Sequence, residues 1–149
     1  MANTSPSSDH SDVLTSPDAQ RWVRVLVVLS LMLIFFAVPH TLEDFAAGEP
    51  LKKGVPAPVL SLVVSMLLSS QAAGLYWLGQ RRRRGVWVHG VLGVLWPLAA
   101  GVAQLPMILG PDPYRDGPIS VAYVVGLLVL GPCMVLTSTL TLRAARSLP

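Results

Sequence analysis

Apolar residues in this chain come in long runs rather than in alternation. Four stretches, about 23–43, 58–78, 85–109 and 119–142, carry almost no charge. Each is long enough, at roughly 20 residues, to cross the hydrocarbon core of a bilayer as a helix. The segments between them are of a different kind. Residues 46–58 hold Gly, Pro, Glu49, Lys52 and Lys53 and read as a loop. Residues 110–118 (Gly-Pro-Asp-Pro-Tyr-Arg-Asp-Gly-Pro) are dense in turn formers. Between the second and third runs lies a tight basic turn, Arg81 to Arg84. The pattern predicts an all-α integral membrane four-helix bundle.

Ahead of the first run, residues 1–20 are rich in Ser, Thr, Asp and Pro with few large apolar residues. Such a segment cannot bury enough surface to offset ordering entropy, so a disordered tail is expected there. Its long, uncharged-to-acidic start is unlike a secretory signal, and the first run is read as a retained anchor. Thus residues 1–20 form the tail and residues 21–146 the bundle.

Composition agrees: 52% of the 149 residues are hydrophobic and 13% charged, too apolar for an ordinary soluble domain. The formal charge of +3 comes from arginines flanking the apolar runs. That placement bears on orientation, and no basic, aromatic-interleaved surface for nucleic acid is present. Arg21, Arg24, Arg81 to Arg84, Arg143 and Arg146 fall on one side, against Lys52, Lys53 and Arg115 on the other. The excess places both termini in the cytoplasm of a multi-pass cell-membrane protein. Trp22, Trp77 and Trp87 fall at that same interface, whereas Glu43, Asp44, Glu49, Asp112 and Asp116 lie opposite. The single cysteine, Cys133, sits in an apolar run and excludes an intrachain disulfide framework.

The candidate chemistry lies where the first run ends, in Val38-Pro39-His40-Thr41-Leu42-Glu43-Asp44-Phe45. At about 100° per residue His40, Glu43 and Asp44 share one helix face within a turn. Pro39 should kink the helix and free the Phe35 carbonyl nearby. Either the span simply ends here with solvated carboxylates, or the trio is functional, the default for ionisable groups at membrane depth. Because consecutive spans alternate in direction, Ser61, Gln104 and Tyr123 belong to the same membrane level and are candidate ligand-binding residues. Trp96, midway along the third run, is a further ligand-binding candidate. Ser61, Ser65 and Ser69 form an i, i+4, i+8 stripe on which a neighbouring helix can approach closely, and Gln104 should face inward. His89, near the arginines, reads as an interfacial or hydrogen-bonded residue rather than a ligand.

Two resemblances follow. His40-Thr41-Leu42-Glu43-Asp44 resembles the H-x-x-E-E signature of the HXXEE family of small bacterial membrane proteins, with Asp44 in place of the last Glu. The layout over residues 22–146 also resembles the EXPERA fold of sterol isomerases and sterol-binding proteins. It shares four spans, a histidine and an acid at the lumenal end of the first, a basic turn between the second and third, and a proline inside the fourth. In the isomerases a histidine and a glutamate four residues apart work with a glutamate of the second span. Here Glu43 is three residues from His40, Asp44 four, and the second span has no acid. The resemblance therefore implies a bundle cavity for an apolar molecule.

Three functions compete. In the first, the bundle binds a lipid- or terpenoid-like molecule and His40, Glu43 and Asp44 act as acid or base, as a membrane isomerase or cyclase would. Two adjacent carboxyls can share one proton and present it to an alkene or carbonyl. In the second, the trio takes up a proton or divalent cation for a transporter or its accessory, although no inverted repeat is evident. In the third, the protein is a non-catalytic subunit held by its small-residue faces in a homo-oligomer or membrane complex. No phosphate loop, nucleophile elbow or H-E-x-x-H occurs, so neither a cofactor nor a resident metal is expected. Membrane lipids are the expected surroundings in every case.

Overall fold

In a bilayer the backbone must satisfy its own N–H and C=O groups, which a helix does residue by residue, and every long apolar run here is helical. The computed structural model describes residues 13–111, 114–115 and 117–146, and no named strand occurs among them. The α-helices are α1 (Pro17–Ala46), α2 (Glu49–Lys52), α3 (Ala57–Gly79), α4 (Arg83–Trp96), α5 (Leu105–Ile108) and α6 (Pro118–Ala144). A π turn (Pro97–Gly101) and a 3-10 turn (Val102–Gln104) join α4 to α5. Helices α1, α3 and α6 are long and apolar enough to cross a membrane.

The helix α1 begins six residues before the apolar run does, because Ser16-Pro17-Asp18 is a start signal. The Ser16 hydroxyl oxygen accepts the Ala19 N–H at 3.0 Å, Pro17 stands where no donor is missed, and Asp18 lies in the first turn. Leu14, just ahead of it, is fully buried, and its N–H donates to the Arg81 carbonyl at 2.7 Å. The expectation of a disordered tail therefore fails for residues 13–20; the rest of that expectation, residues 1–12, lies outside the described residues.

The third expected span also departs from expectation: it is not one continuous α-helix. Pro97 has no N–H to return to the Gly93 carbonyl, so α4 stops at Trp96 and the backbone passes through π and 3-10 geometry. The helix α6 packs against this break. A Cβ on Gly131 of α6 would fall 2.5 Å from the Gly93 carbonyl oxygen and would also strike the Pro97 ring.

Four helical columns, with α4 to α5 counted as one, pack in alternating directions. Between α1 and α6 the contacts Ser16 to Ala144, Phe36 to Gly126 and Glu43 to Ser120 run antiparallel. The helix α6 packs on α4 as well, and α3 on α4 and α1. Leu26 and Leu33 of α1, Leu92 and Trp96 of α4, and Leu127 and Met134 of α6 fill the core. Only Gln71, Gly74 and Leu78 of α3 are buried. Ser61, Ser65 and Ser69 are exposed, so the close helix approach expected at this stripe is not made there by any described helix. Close approach occurs at glycines instead. A Cβ on Gly74 would meet His89 Cε1 at 2.6 Å, and one on Gly85 would meet the Gly74 carbonyl at 2.8 Å.

One end of the bundle is stitched together. Beside the Leu14 bond, Val13 bridges to Arg82, the Ser16 hydroxyl donates to the Ala144 carbonyl at 3.1 Å, and Arg83 donates to the Ala145 carbonyl at 3.3 Å. The start of α1, the α3–α4 turn and the end of α6 thus meet at the arginine-rich end. Overpacking a closed crossing costs about 1–3 kcal/mol. Gly131→Ala should therefore destabilise the bundle by that order, whereas Gly79→Ala, whose Cβ meets nothing within 4 Å, should be near neutral; chemical unfolding in micelles compares the two.

Candidate functional site

At the opposite end, the last turns of α1 present His40, Glu43 and Asp44 on one face. Asp44 is the hub. Its Oδ2 lies 3.6 Å from His40 Nε2, and its Oδ1 accepts from Gln104 Nε2 at 3.2 Å and from the Arg115 guanidinium. Beside it the Ser120 hydroxyl, in the first turn of α6, donates to Glu43 Oε1 at 3.0 Å. The guanidinium of Arg115 also lies 4.9 Å from the centroid of the buried Tyr114 ring. Arg115 adopts φ 43°, a left-handed conformation uncommon for a side chain of this size, in the loop that carries it to Asp44.

These groups are buried or half-buried but incompletely bonded. His40 is 1% exposed, and neither ring nitrogen has a hydrogen-bond partner. Glu43 Oε2, Gln104 Oε1, the Tyr114 hydroxyl and Arg115 Nε and Nη1 are buried and unpartnered too. Among the described residues only Arg83 Nε and Ser138 Oγ share that condition elsewhere. A cleft of about 370 Å³ adjoins the cluster, lined by Glu49, Pro106, Met107, Pro111, Tyr114 and Arg115.

Two groups of the cleft titrate away from their ordinary values. Burial works against ionisation of Glu49, but Lys52 at 3.1 Å, with Arg115 and Lys53, outweighs it and holds the carboxyl below the usual range. Burial pushes the Tyr114 phenol up to about 12; Arg115 opposes this, and Asp44, Glu43 and Glu49 reinforce it.

Of the residues singled out from sequence, His40, Glu43, Asp44 and Gln104 come together. Ser61 does not join them: it is exposed on α3, which has no buried residue before Gln71. Tyr123 is half-buried one turn beyond Ser120, its ring edge-on to Phe36 at 6.4 Å rather than hydrogen-bonded to the carboxylates. Trp96 belongs to a separate site. Sequence reasoning missed Arg115, Tyr114, Ser120 and Glu49 as members of the cluster. The available signal was a lone arginine in a proline-rich loop facing an acidic helix end. No group of three or more His, Cys, Asp or Glu side chains among the described residues converges for a metal ion.

The separate site is a closed hydrogen-bond chain in the bundle interior. His89 Nδ1 lies 2.7 Å from the Gly85 carbonyl, which can only accept, so Nδ1 carries the proton. Nε2 is then an acceptor, and the Ser30 hydroxyl donates to it at 2.9 Å. Gln71 Nε2 donates to Ser30 Oγ and to the Ser30 carbonyl, each at 3.0 Å, and Gln71 Oε1 accepts the Trp96 indole N–H at 3.0 Å. All four side chains are buried, and the chain joins α1, α3 and α4 with its polar groups satisfied.

Fold and helix lengths together define an all-helical protein suited to membrane association. No family model matches the chain, and neither a curated protein nor a solved structure shows significant similarity to it.

Removing one partner of the closed chain leaves buried donors unmade. Gln71→Leu should destabilise the fold by about 1–3 kcal/mol, whereas Ser65→Ala on the exposed stripe should change it little; unfolding in micelles measures both. The Tyr114 phenol holds its proton more tightly folded than unfolded, so its contribution is complete below the ordinary value near 10 and is lost as pH rises through about 12. Absorbance of tyrosinate should show one late-titrating phenol, and Tyr114→Phe should remove both that phase and the matching loss of stability.

Proposed function

We propose that the four helical columns each cross the membrane, with the arginine-rich end in the cytoplasm, and that the opposite end binds a lipid- or terpenoid-like molecule by its polar group. The observation that carries this reading is the concentration of buried, unpartnered polar atoms at this end, on Tyr114 and Arg115 of the cleft wall and on His40, Glu43 and Gln104 behind it. Buried polar atoms ordinarily find partners, and a polar group of a bound molecule supplies them here. The apolar remainder of such a molecule continues along the lipid-facing surface of the bundle. Orientation rests on the arginine excess and on Trp22, Trp77 and Trp87 at the same level.

Within this reading the residues divide their roles. Asp44, bonded to Arg115 and Gln104, positions His40 and ties the loop to α1. His40 and Glu43 Oε2 lack protein hydrogen-bond partners and are the groups free to exchange a proton with the bound molecule. The chemistry is proton transfer at an alkene or carbonyl, as in an isomerase or cyclase. A second reading, a subunit of a homo-oligomer or membrane complex, is favoured by one observation: the small-residue stripe of α3 faces outward.

Extraction and mass spectrometry of molecules co-purifying with the protein test both. The wild type should retain a discrete apolar molecule, and His40→Ala and Glu43→Gln should lose it or fail to convert it while keeping their helical content. Recovery of the same molecules from all three proteins would remove the site. A stoichiometric partner chain, retained in every variant and without such a molecule, would select the second reading.

A further inference from the structure

A second groove lies at the arginine-rich end, between α1 and the end of α3, and takes no part in the site above. Its α1 wall is Gln20, Val23, Arg24, Val27 and Val28, spaced i, i+3, i+4, i+7 and i+8, a single stripe of the helix. Leu78, Gly79 and Arg81 form the other wall, and together they enclose about 650 Å³. Both arginines are exposed, and neither guanidinium makes a hydrogen bond or ion pair among the described residues. The turn holds Arg81 in place: its φ is 58°, and its carbonyl accepts the Leu14 N–H at 2.7 Å. The groove is thus aliphatic along its length and cationic at its mouth. The space beside Gly79 is open, since a Cβ there meets nothing within 4 Å, so a large side chain at that position would project into the groove.

We infer that this groove is a binding site for an anionic glycerophospholipid of the surrounding bilayer. Its phosphate sits between Arg24 and Arg81, and an acyl chain lies along Val23, Val27 and Val28. Charge complementarity selects the occupant. Guanidinium groups pair bidentately with phosphate oxygens, and cationic side chains beside a bilayer draw anionic headgroups. The aliphatic walls accept an acyl chain and offer a soluble phosphate compound nothing.

The test uses the full chain in nanodiscs of phosphatidylcholine with a minority of phosphatidylglycerol, reading the lipids retained after detergent extraction by native mass spectrometry. The wild type should enrich phosphatidylglycerol over its bulk share. Each of Arg24→Gln and Arg81→Asn should lower that enrichment about fivefold; Asn is chosen because it tolerates the left-handed backbone. Gly79→Leu fills the groove without altering charge and should abolish enrichment, while Arg143→Gln, at the same end but outside the groove, should preserve it. Circular dichroism in neutral detergent confirms that each variant is folded. Absence of enrichment in the wild type overturns the proposal. So does full enrichment in Gly79→Leu, or a loss in Arg143→Gln equal to that in Arg24→Gln, since either means a diffuse charge effect rather than a site.

Discussion

A polar side chain inside an apolar bundle has no water to turn to, so it either finds partners in the chain or carries a desolvation penalty. This constraint organises the structure. The interior chain from Trp96 through Gln71 and Ser30 to His89 and the Gly85 carbonyl meets it in full. Because the donors and acceptors match in only one direction, the chain admits one His89 tautomer and ties together the rotations of α1, α3 and α4 about their axes. The apolar contacts alone would tolerate small rotations of α3, which buries little of its surface. The hydrogen-bond chain does not.

The end cluster departs from the same constraint. Both sites contain a buried histidine next to other polar side chains. His89 is bonded on both ring nitrogens, whereas His40 is bonded on neither. Glu43 and Arg115 likewise spend some of their hydrogen-bonding capacity on the chain and leave the rest unspent. A latch holding the loop to α1 would need only Asp44 and Arg115. The additional unpartnered atoms of His40, Glu43, Gln104 and Tyr114 are what a latch leaves unexplained, and they are the ground for the proposed binding of a polar group.

The helical runs were legible because lipid-compatible length and apolarity dominate everything else in this sequence. His40, Glu43 and Asp44 were placed on one face by helical spacing alone, and Gln104 was placed inward by the cost of an amide in lipid. What spacing does not supply is rotation about each axis, and this is where Ser61 and Tyr123 went astray. Trp96 illustrates a signal that was present and unused: His89, Leu92 and Trp96 stand at i, i+3 and i+7, as do Gln71, Gly74 and Leu78. Each set lies on one helix face, and the structure buries both faces against each other. The start of α1 was also written in the chain, as Ser16-Pro17-Asp18, but lay within a segment whose composition argued for disorder. For Arg115 the only signal was its place as a lone arginine in a loop facing an acidic helix end, and its pairing with Asp44 depends on the path of that loop.

The break at Pro97 links the packing to the site. Had the third column been a regular helix through Pro97, α6 would have met an ordinary helix surface there. Instead Gly93 and Gly131 lie backbone against backbone, and the Pro97 ring occupies the space that a side chain on Gly131 would take. The helix α6 is held against α4 at this point and against α1 where Gly126 meets the Phe36 ring. With two close approaches along its length, the direction of α6 is set, and its first turn delivers Ser120 to Glu43. The same irregular stretch ends at Gln104, which reaches Asp44. A proline in the middle of one column thus governs the polar end of another, because glycines let the helices between them approach without slack.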